Sequence, residues 1–354
     1  MASEQPSEGI PSSGDADRFV IHVRALIAIR DYLIERGHDQ SQIRKVLAQY
    51  GLESADVQAF HGFISIQRFA LLLRGLSVVS GDPTLGLKLG DRTDASSLGV
   101  LGQAFQTAPN LENALELLAT HMRLYADVSF SGLSVSDSRV EFTWSYSPLI
   151  RMRDELTDRA ARLFVRSIRR RFSPDWWPVE VHLQRRTPAD VTPYRQFLAP
   201  VVHFDTPANM VVLRASDLSR PNLNADAFAH EAAMELVRRV SAERRVPDDL
   251  RIRVSEDIVA HMADSGNSVS ETARRMGMST RVLQRKLDAL GTSYHDLCDR
   301  LRKDSAIELL RGSDLPLAEV AFRLGFSNQA NLSRAVKRWL GQSPSSVRTR
   351  SDDG

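Results

Sequence analysis

Twice in the C-terminal third of the chain, apolar residues recur at the helical period on either side of a glycine. In the later case Leu317, Val320, Ala321 and Leu324 stand at i, i+3, i+4 and i+7, and Leu332, Ala335, Val336 and Trp339 repeat the spacing. Pro316 suits the first turn of the first helix, Gly325 stops it, and Ser327 or Asn328 caps the second. Gln329, Asn331, Ser333, Arg334, Lys337 and Arg338 are left outward on that second helix. Amides, hydroxyls and cations with no acid among them suit base edges and phosphates, so the stretch reads as a helix-turn-helix with a free reading face. The earlier case has Val269, Ala273 and Met276 inward before Gly277. Ser279 then caps a helix with Val282 or Leu283, Leu287 and Leu290 inward, and Thr280, Arg281, Gln284, Arg285 and Lys286 outward. Residues 294–310 between the two units read as one amphipathic helix, about 25 Å long at ~1.5 Å per residue. Such a rod can hold two recognition helices near one DNA turn, ~34–36 Å apart.

Upstream the pattern is mixed. Residues 1–17 are rich in Ser, Gly, Pro and Glu and predict a disordered tail. Helical spacing runs over 19–37, 41–50 and 66–79, then through TLGLKLG, SLGVLGQAFQTAP and NLENALELLATHMRLYA, with Asn110 placed to cap the last. The period then changes to two. Residues 128–135 and 139–146 alternate about a polar SDS turn and predict a β-hairpin. A long arginine-rich helix over 153–172 follows, with Leu156, Ala160, Leu163, Phe164, Val165 and Ile168 on its apolar side. Strand patterns resume at 179–183, 201–204 and 210–213, with a short helix PYRQFL among them. A helix over 224–245 carries Phe228, Ala229, Ala232, Leu236, Val237 and Val240 on one side, and its pattern leaves open whether it pairs with its copy or packs on its own domain. Residues 246–249, VPDD, predict a hinge. The fold class expected is an α+β N-terminal domain, helices plus a small mainly antiparallel sheet, followed by an all-α domain with two helix-turn-helix units joined by a linker helix. The divisions are a tail at 1–17, a domain at 18–220, a connecting helix and hinge at 221–249, and the helical domain at 250–350.

Charge sharpens this division. Across the 354 residues the net charge is only +2, but residues 250–350 hold 17 Lys/Arg against 11 Asp/Glu, so that +6 sits there and −4 elsewhere. A positive footprint on the helix-turn-helix region is what phosphate binding requires. The single cysteine, Cys298, excludes an internal disulfide and a thiolate metal cluster. The N-terminus has no apolar run after basic residues, and the most apolar window, FALLLRGLSVV, is short and contains Arg74, so a cytoplasmic protein is expected. No phosphate loop, nucleophile elbow or dinucleotide fingerprint occurs, and His22, His38, His61, His121, His182, His203, His230, His261 and His295 fall in no His-x-x-x-His or Glu-paired spacing. Neither an enzyme, a cofactor nor a metal site is expected.

RLGFSNQANLSRAVKRWLGQSP resembles the second helix-turn-helix of the AraC/XylS family of bacterial transcription regulators, and SETARRMGMSTRVLQRKL resembles the first. The resemblance covers 250–350 and departs from the family at Val336, usually Phe, and Val347, usually Tyr. SGDPTLGLKLGDRTDASSLGVLGQAFQTAPNLENALELL and WWPVEVHLQRRTPADVTPYRQFLAPVVHFDTPANMVVL resemble the arabinose-binding-type sensing domain of one branch of that family. The resemblance implies double-stranded DNA as partner, contact with RNA polymerase, a small organic effector and a homodimer. It places base reading on Arg281, Gln284 and Arg285 in the first unit and on Gln329, Asn331 and Arg334 in the second. Ser279, Thr280, Lys286, Asn328, Ser333, Lys337 and Arg338 are expected at phosphates.

Arg166, Arg169, Arg170 and Arg171 crowd the end of the long helix before Trp176 and Trp177, and an effector site at Arg166, Arg169, Arg170, Trp176 and Trp177 would offer bidentate cations beside an aromatic wall. The plainer reading is favourable charge at a helix C-terminus with the tryptophans as core. Two other function classes compete. A DNA-repair or modification enzyme with this kind of DNA-binding domain needs a nucleophilic cysteine in its own motif, whereas Cys298 lies inside the linker helix. An architectural DNA-binding protein does not need so large a mixed α/β domain.

Overall fold

The stretch expected to form one helix over 19–37 begins instead with a strand, β1 (Val20–His22), and reaches helix α1 (Ile27–Glu35) only after a 3-10 turn. β1 pairs antiparallel with β2 (Phe63–Ser65), and the isolated strand pattern VIH was hidden inside helical spacing because three residues carry no period of their own. The computed structural model describes residues 16–53, 55, 62–243, 249–263, 268–312 and 315–349, so the expected tail up to residue 15 and hinge residues 246–248 lie outside the described residues. Residues 16 and 17 do not behave as a tail. Ala16 is buried, and Asp17 accepts from Ser65 Oγ at 2.6 Å and pairs with Arg68 at 3.3 Å.

The chain divides into two compact units, Met1–Arg245 and Val246–Gly354. In the first unit α2 (Gln40–Gln49), α3 (Ile66–Ser80), α4 (Leu85–Arg92), α5 (Val100–Thr107) and α6 (Leu111–His121) follow in order, and Asn110 caps α6 by accepting from Asn113 N–H. The hairpin forms with the expected bounds as β3 (Val128–Val135) and β4 (Arg139–Tyr146), followed by α7 (Asp154–Arg171). β5 (Glu180–His182), α8 (Thr192–Phe197), β6 (Val202–His203), β7 (Asn209–Arg214) and α9 (Ala227–Glu243) complete the unit. The sheet has five strands in the order β3-β4-β7-β5-β6, antiparallel except for the β5–β6 pair.

Every second residue of β4 is buried, and Val140, Phe142, Trp144 and Tyr146 face α7, with Phe142 and Phe164 stacked at 4.8 Å between ring centroids. On its other side α7 meets α4. Gly86 and Gly90, one turn apart, let the two helices touch: a Cβ on Gly86 would stand 2.5 Å from the Glu155 carbonyl, and one on Gly90 would stand 2.6 Å from the Arg159 carbonyl. The α7 side chains between these contacts are therefore held on a rigid backbone. α9 packs on α5 of its own domain, and its buried residues are Ala233 and Val237. Of the apolar residues grouped on one side of α9, Val237 is buried and Val240 packs on the core, whereas Phe228 near its start is 87% exposed.

The second unit is all helix: α10 (Leu250–Ala260), α11 (Val269–Arg275), α12 (Thr280–Ala289), α13 (Tyr294–Gly312), α14 (Leu317–Arg323), α15 (Gln329–Leu340) and α16 (Pro344–Thr349). α13 is the shared strut, packed by α10, α14, α15 and α16, and its 19 residues make a rod about 28 Å long at ~1.5 Å per residue. The two departures from the family pattern, Val336 and Val347, are both core residues.

Candidate nucleic-acid interface

In each helix-turn-helix a glycine in left-handed backbone joins the helices, Gly277 at φ +67° and Gly325 at φ +70°. The pairs α11–α12 and α14–α15 then bury small and branched residues between them: Thr272, Ala273, Leu283 and Leu287 in the first, Val320, Ala321, Leu324, Leu332, Ala335 and Val336 in the second. Ser279 caps α12 by accepting from Val282 N–H at 3.4 Å, and Asn328 caps α15 by accepting from Asn331 N–H at 2.9 Å, which decides between Ser327 and Asn328. Pro316 occupies the cap of α14 rather than its first turn. One inward expectation fails. Leu290, at the C-terminal cap of α12, is 42% exposed, because the helix ends there and the chain turns away through Gly291.

Most of the residues expected outward lie at the surface of α12 and α15. Arg281, Gln284, Arg285 and Lys286 on α12, and Gln329 and Lys337 on α15, are exposed. None of these six forms a recorded hydrogen bond or ion pair with another described residue. Thr280 and Ser333 are half-buried beside them. Asn331 donates to Ser327 Oγ at 2.7 Å and accepts from Arg334, so these two reach the surface as a preset pair. Arg338 differs from its neighbours: it pairs with Asp299 on α13, which also accepts from Trp339 Nε1 at 2.9 Å. That carboxylate neutralises a cation expected at a phosphate and fastens α15 to the strut.

A second carboxylate performs the same office in the first unit. Asp257 on α10 accepts from Arg275 Nε at 2.6 Å and Nη2 at 2.7 Å, and from Thr272 Oγ1 at 2.6 Å. Burial alone would raise its pKa, but the Arg275 and Thr272 hydrogen bonds outweigh this and hold the carboxyl below the usual range. A depressed pKa stabilises the fold above the unfolded value, near 3.8, and the contribution is lost as pH falls through the folded value. Asp257→Asn is therefore expected to lower the melting temperature at pH 7 and to flatten its fall on the acid side; an identical pH profile in both proteins would refute the link.

In the N-terminal unit the arginines expected at an effector are engaged singly. Arg166 donates to the Thr93 carbonyl at 3.0 Å, Arg170 pairs with Asp94 at 2.7 Å, and Arg169 donates to the Pro174 carbonyl at 2.9 Å while lying 4.0 Å over the Trp177 ring. Trp176 is buried. These five residues do not converge on a ligand space, and the helix-terminus reading describes them.

A cavity of about 60 Å³ lies elsewhere, between α5, α6, β4 and α7, lined by Phe105, Phe142, Trp144, Leu163 and Phe164 among others, with Tyr125, Tyr146, Arg159 and Ser167 as polar residues in its wall. Sequence reasoning missed it, although Arg159 stands three residues after Leu156 and four before Leu163, inside the apolar stripe of α7. A charged residue in such a stripe is the signal that was there to read.

The absence of a Glu-paired histidine spacing is also corrected. Glu180, His182 and His203 bring their ligand atoms within 4.8 Å of one another where β5 and β6 pair. Their types suit a transition metal. However, Arg139 Nη2 lies 2.6 Å from Glu180 Oε1, a fixed positive charge where a divalent ion would add two more.

Cys298 is buried on α13, and burial pushes its thiol above the ordinary range, which is the opposite of what a nucleophilic thiolate needs. Among the described residues no helix is long and apolar enough to cross a membrane.

Residues 41–222 match the family model of the arabinose-binding domain of AraC transcription regulators, N-terminal, and residues 272–350 match a helix-turn-helix domain model. The chain is 27% identical over 289 residues to the ornithine utilization regulator of Pseudomonas aeruginosa, covering 81% of this chain and 85% of that protein. It is 26% identical over 275 residues to the transcriptional regulator VqsM of the same organism, covering 74% and 83%. Among solved structures it is similar to the transcriptional regulator CdpR from Pseudomonas aeruginosa, with 26% identity, a TM-score of 0.40, and coverage of 78% of this chain and 90% of that one. The two family models fall on the two units already separated by their packing, one built around a small sheet and one presenting paired helix-turn-helix faces: the chain belongs to the AraC family of DNA-binding transcription regulators.

Proposed function

We propose that this regulator acts as a dimer on a promoter, reading DNA with both helix-turn-helix units and contacting RNA polymerase, while its N-terminal domain senses a small organic effector. The observation that carries the reading is the outward surface of α12 and α15, where Arg281, Gln284, Arg285, Gln329 and Lys337 are exposed and engaged by no described residue. Base reading falls to Arg281, Gln284 and Arg285 in one major groove and to Gln329, Asn331 and Arg334 in the next. Ser279, Thr280, Lys286, Asn328, Ser333 and Lys337 take the phosphates. Arg338 joins them only by sharing its guanidinium with Asp299, so its contribution to affinity is expected to be smaller than that of Lys337.

Dimerisation is tested by comparing a fragment of residues 250–350 with the full chain on DNA carrying two sites. The fragment is expected to bind, and to bind more weakly, because linking two reading units raises affinity through effective concentration. Equal affinities would remove the N-terminal domain as the dimeriser. A DNA-repair activity has no support in the site: it would require an activated thiol, and the one cysteine is buried with its thiol pKa raised.

A further inference from the structure

Arg159 is 1% exposed and heads the fully buried side chains by size, yet no carboxylate among the described residues pairs with it. Its two hydrogen bonds are long, 3.3 Å from Nη1 to the Tyr125 hydroxyl and 3.4 Å from Nη2 to the Ala25 carbonyl, and its Nε has no partner. The nearest acids along α7 are engaged elsewhere. Glu155 pairs with Arg74 at 3.0 Å, and Asp158 pairs with Arg185 and accepts from Tyr194 at 2.8 Å. A buried guanidinium without a counter-charge is costly to a fold, and a protein retains one where something supplies the missing charge.

The surroundings say what that something is. Arg159 borders the cavity between α5, α6, β4 and α7, whose walls are otherwise aromatic and aliphatic apart from the hydroxyls of Tyr125, Tyr146 and Ser167. The Tyr125 hydroxyl accepts from Arg159 and so keeps its own proton to donate. Burial pushes the Tyr146 hydroxyl above its ordinary range, which keeps that hydroxyl a donor. One cation and a few hydroxyls in a largely apolar space match a monoanion with a hydrocarbon body rather than a sugar, which would need polar partners all round, or a phosphate, which would bring a second charge. With ~10–15 Å³ needed for one water, 60 Å³ leaves room for a small molecule or for the reacting end of a longer one.

We propose that the cavity binds a small apolar monocarboxylate whose charge is met by Arg159 and whose oxygens accept from Tyr125 and Tyr146. This rests on the assignment of the N-terminal domain as the sensing domain and specifies its ligand class. The backbone of Arg159 is itself packed against Gly90 of α4, one turn after the contact of Glu155 with Gly86, so its guanidinium is carried on a fixed helix.

The test uses the full-length protein with benzoate and octanoate as probes and benzamide and octanamide as their neutral counterparts, followed by thermal shift and calorimetry. The carboxylates are expected to bind and raise the melting temperature, and the amides to bind at least ~10-fold more weakly. Arg159→Met, neutral and of similar length, is expected to keep the ligand-free melting temperature and lose the preference for acids; Tyr125→Phe is expected to weaken acid binding ~3–10-fold. Amides binding as well as acids would overturn the anion site while leaving a sensing domain in place. No binding by either class would overturn both. A fall in the ligand-free melting temperature of Arg159→Met with acid binding unchanged would make Arg159 a structural strut and also overturn the proposal. Should that variant fail to fold, the comparison of acids with amides in the unaltered protein decides alone.

Discussion

Leu332→Ala is expected to lower the stability of the C-terminal unit by about 2–5 kcal/mol and to abolish operator binding at temperatures where the parent protein still binds. Leu332 is fully buried between α14 and α15, and truncating it removes apolar contact and leaves a cavity that short helices held by a tight turn cannot close. For a unit of this size each kcal/mol moves the midpoint by roughly 4–8 °C. Calorimetry on the full chain should show the transition of the C-terminal unit moving down and that of the N-terminal unit staying in place, since the two have separate cores. Leu290→Ala is the control. The apolar spacing ranks Leu290 with the inward residues, but its exposure predicts a loss below about 1 kcal/mol. Equal losses for the two leucines would mean that the burial described for α12 and α15 is wrong.

Arg285→Ala and Arg334→Ala are each expected to cost ~1–3 kcal/mol of operator affinity and to relax base preference, at positions about 10 bp apart. α13 is about 28 Å long, a length that suits the proposed reading of successive major grooves by α12 and α15. Arg285 is engaged by no other described residue, whereas Arg334 is oriented by Asn331, so the second variant should also disturb the proposed reading by Asn331. Lys337→Ala should behave differently, weakening binding to all sequences alike and lowering the salt slope by about one, because a phosphate contact carries no base information. Selections from randomised operators with each variant decide it. If both arginine variants relaxed the same base pair, or neither changed preference, one of the two units would be a support or a docking surface for polymerase and not a reader.

The DNA-binding half was legible in the sequence because its determinants are local. A helical period, a glycine that adopts left-handed backbone and a side-chain cap specify two helices and the turn between them within a score of residues, and Ser279, Gly277, Asn328 and Gly325 occupy those places in the fold. The hairpin of β3 and β4 was legible for the same reason, its alternation and its turn being contiguous. What the tertiary structure alone decided are pairings across long separations. Nothing near Arg166 or Arg170 in sequence announces Thr93 or Asp94, the groups that engage them and remove them from an effector site. The β1–β2 ribbon, the packing of α9 onto α5, and the meeting of Glu180 and His182 with His203 likewise depend on which surfaces the core brings together. Arg159 lies between the two cases. Its place in the apolar stripe of α7 is written in the spacing, but a lone arginine in a stripe becomes a buried cation without a counter-charge only when the neighbouring acids turn to Arg74 and Arg185 and the sheet closes over it.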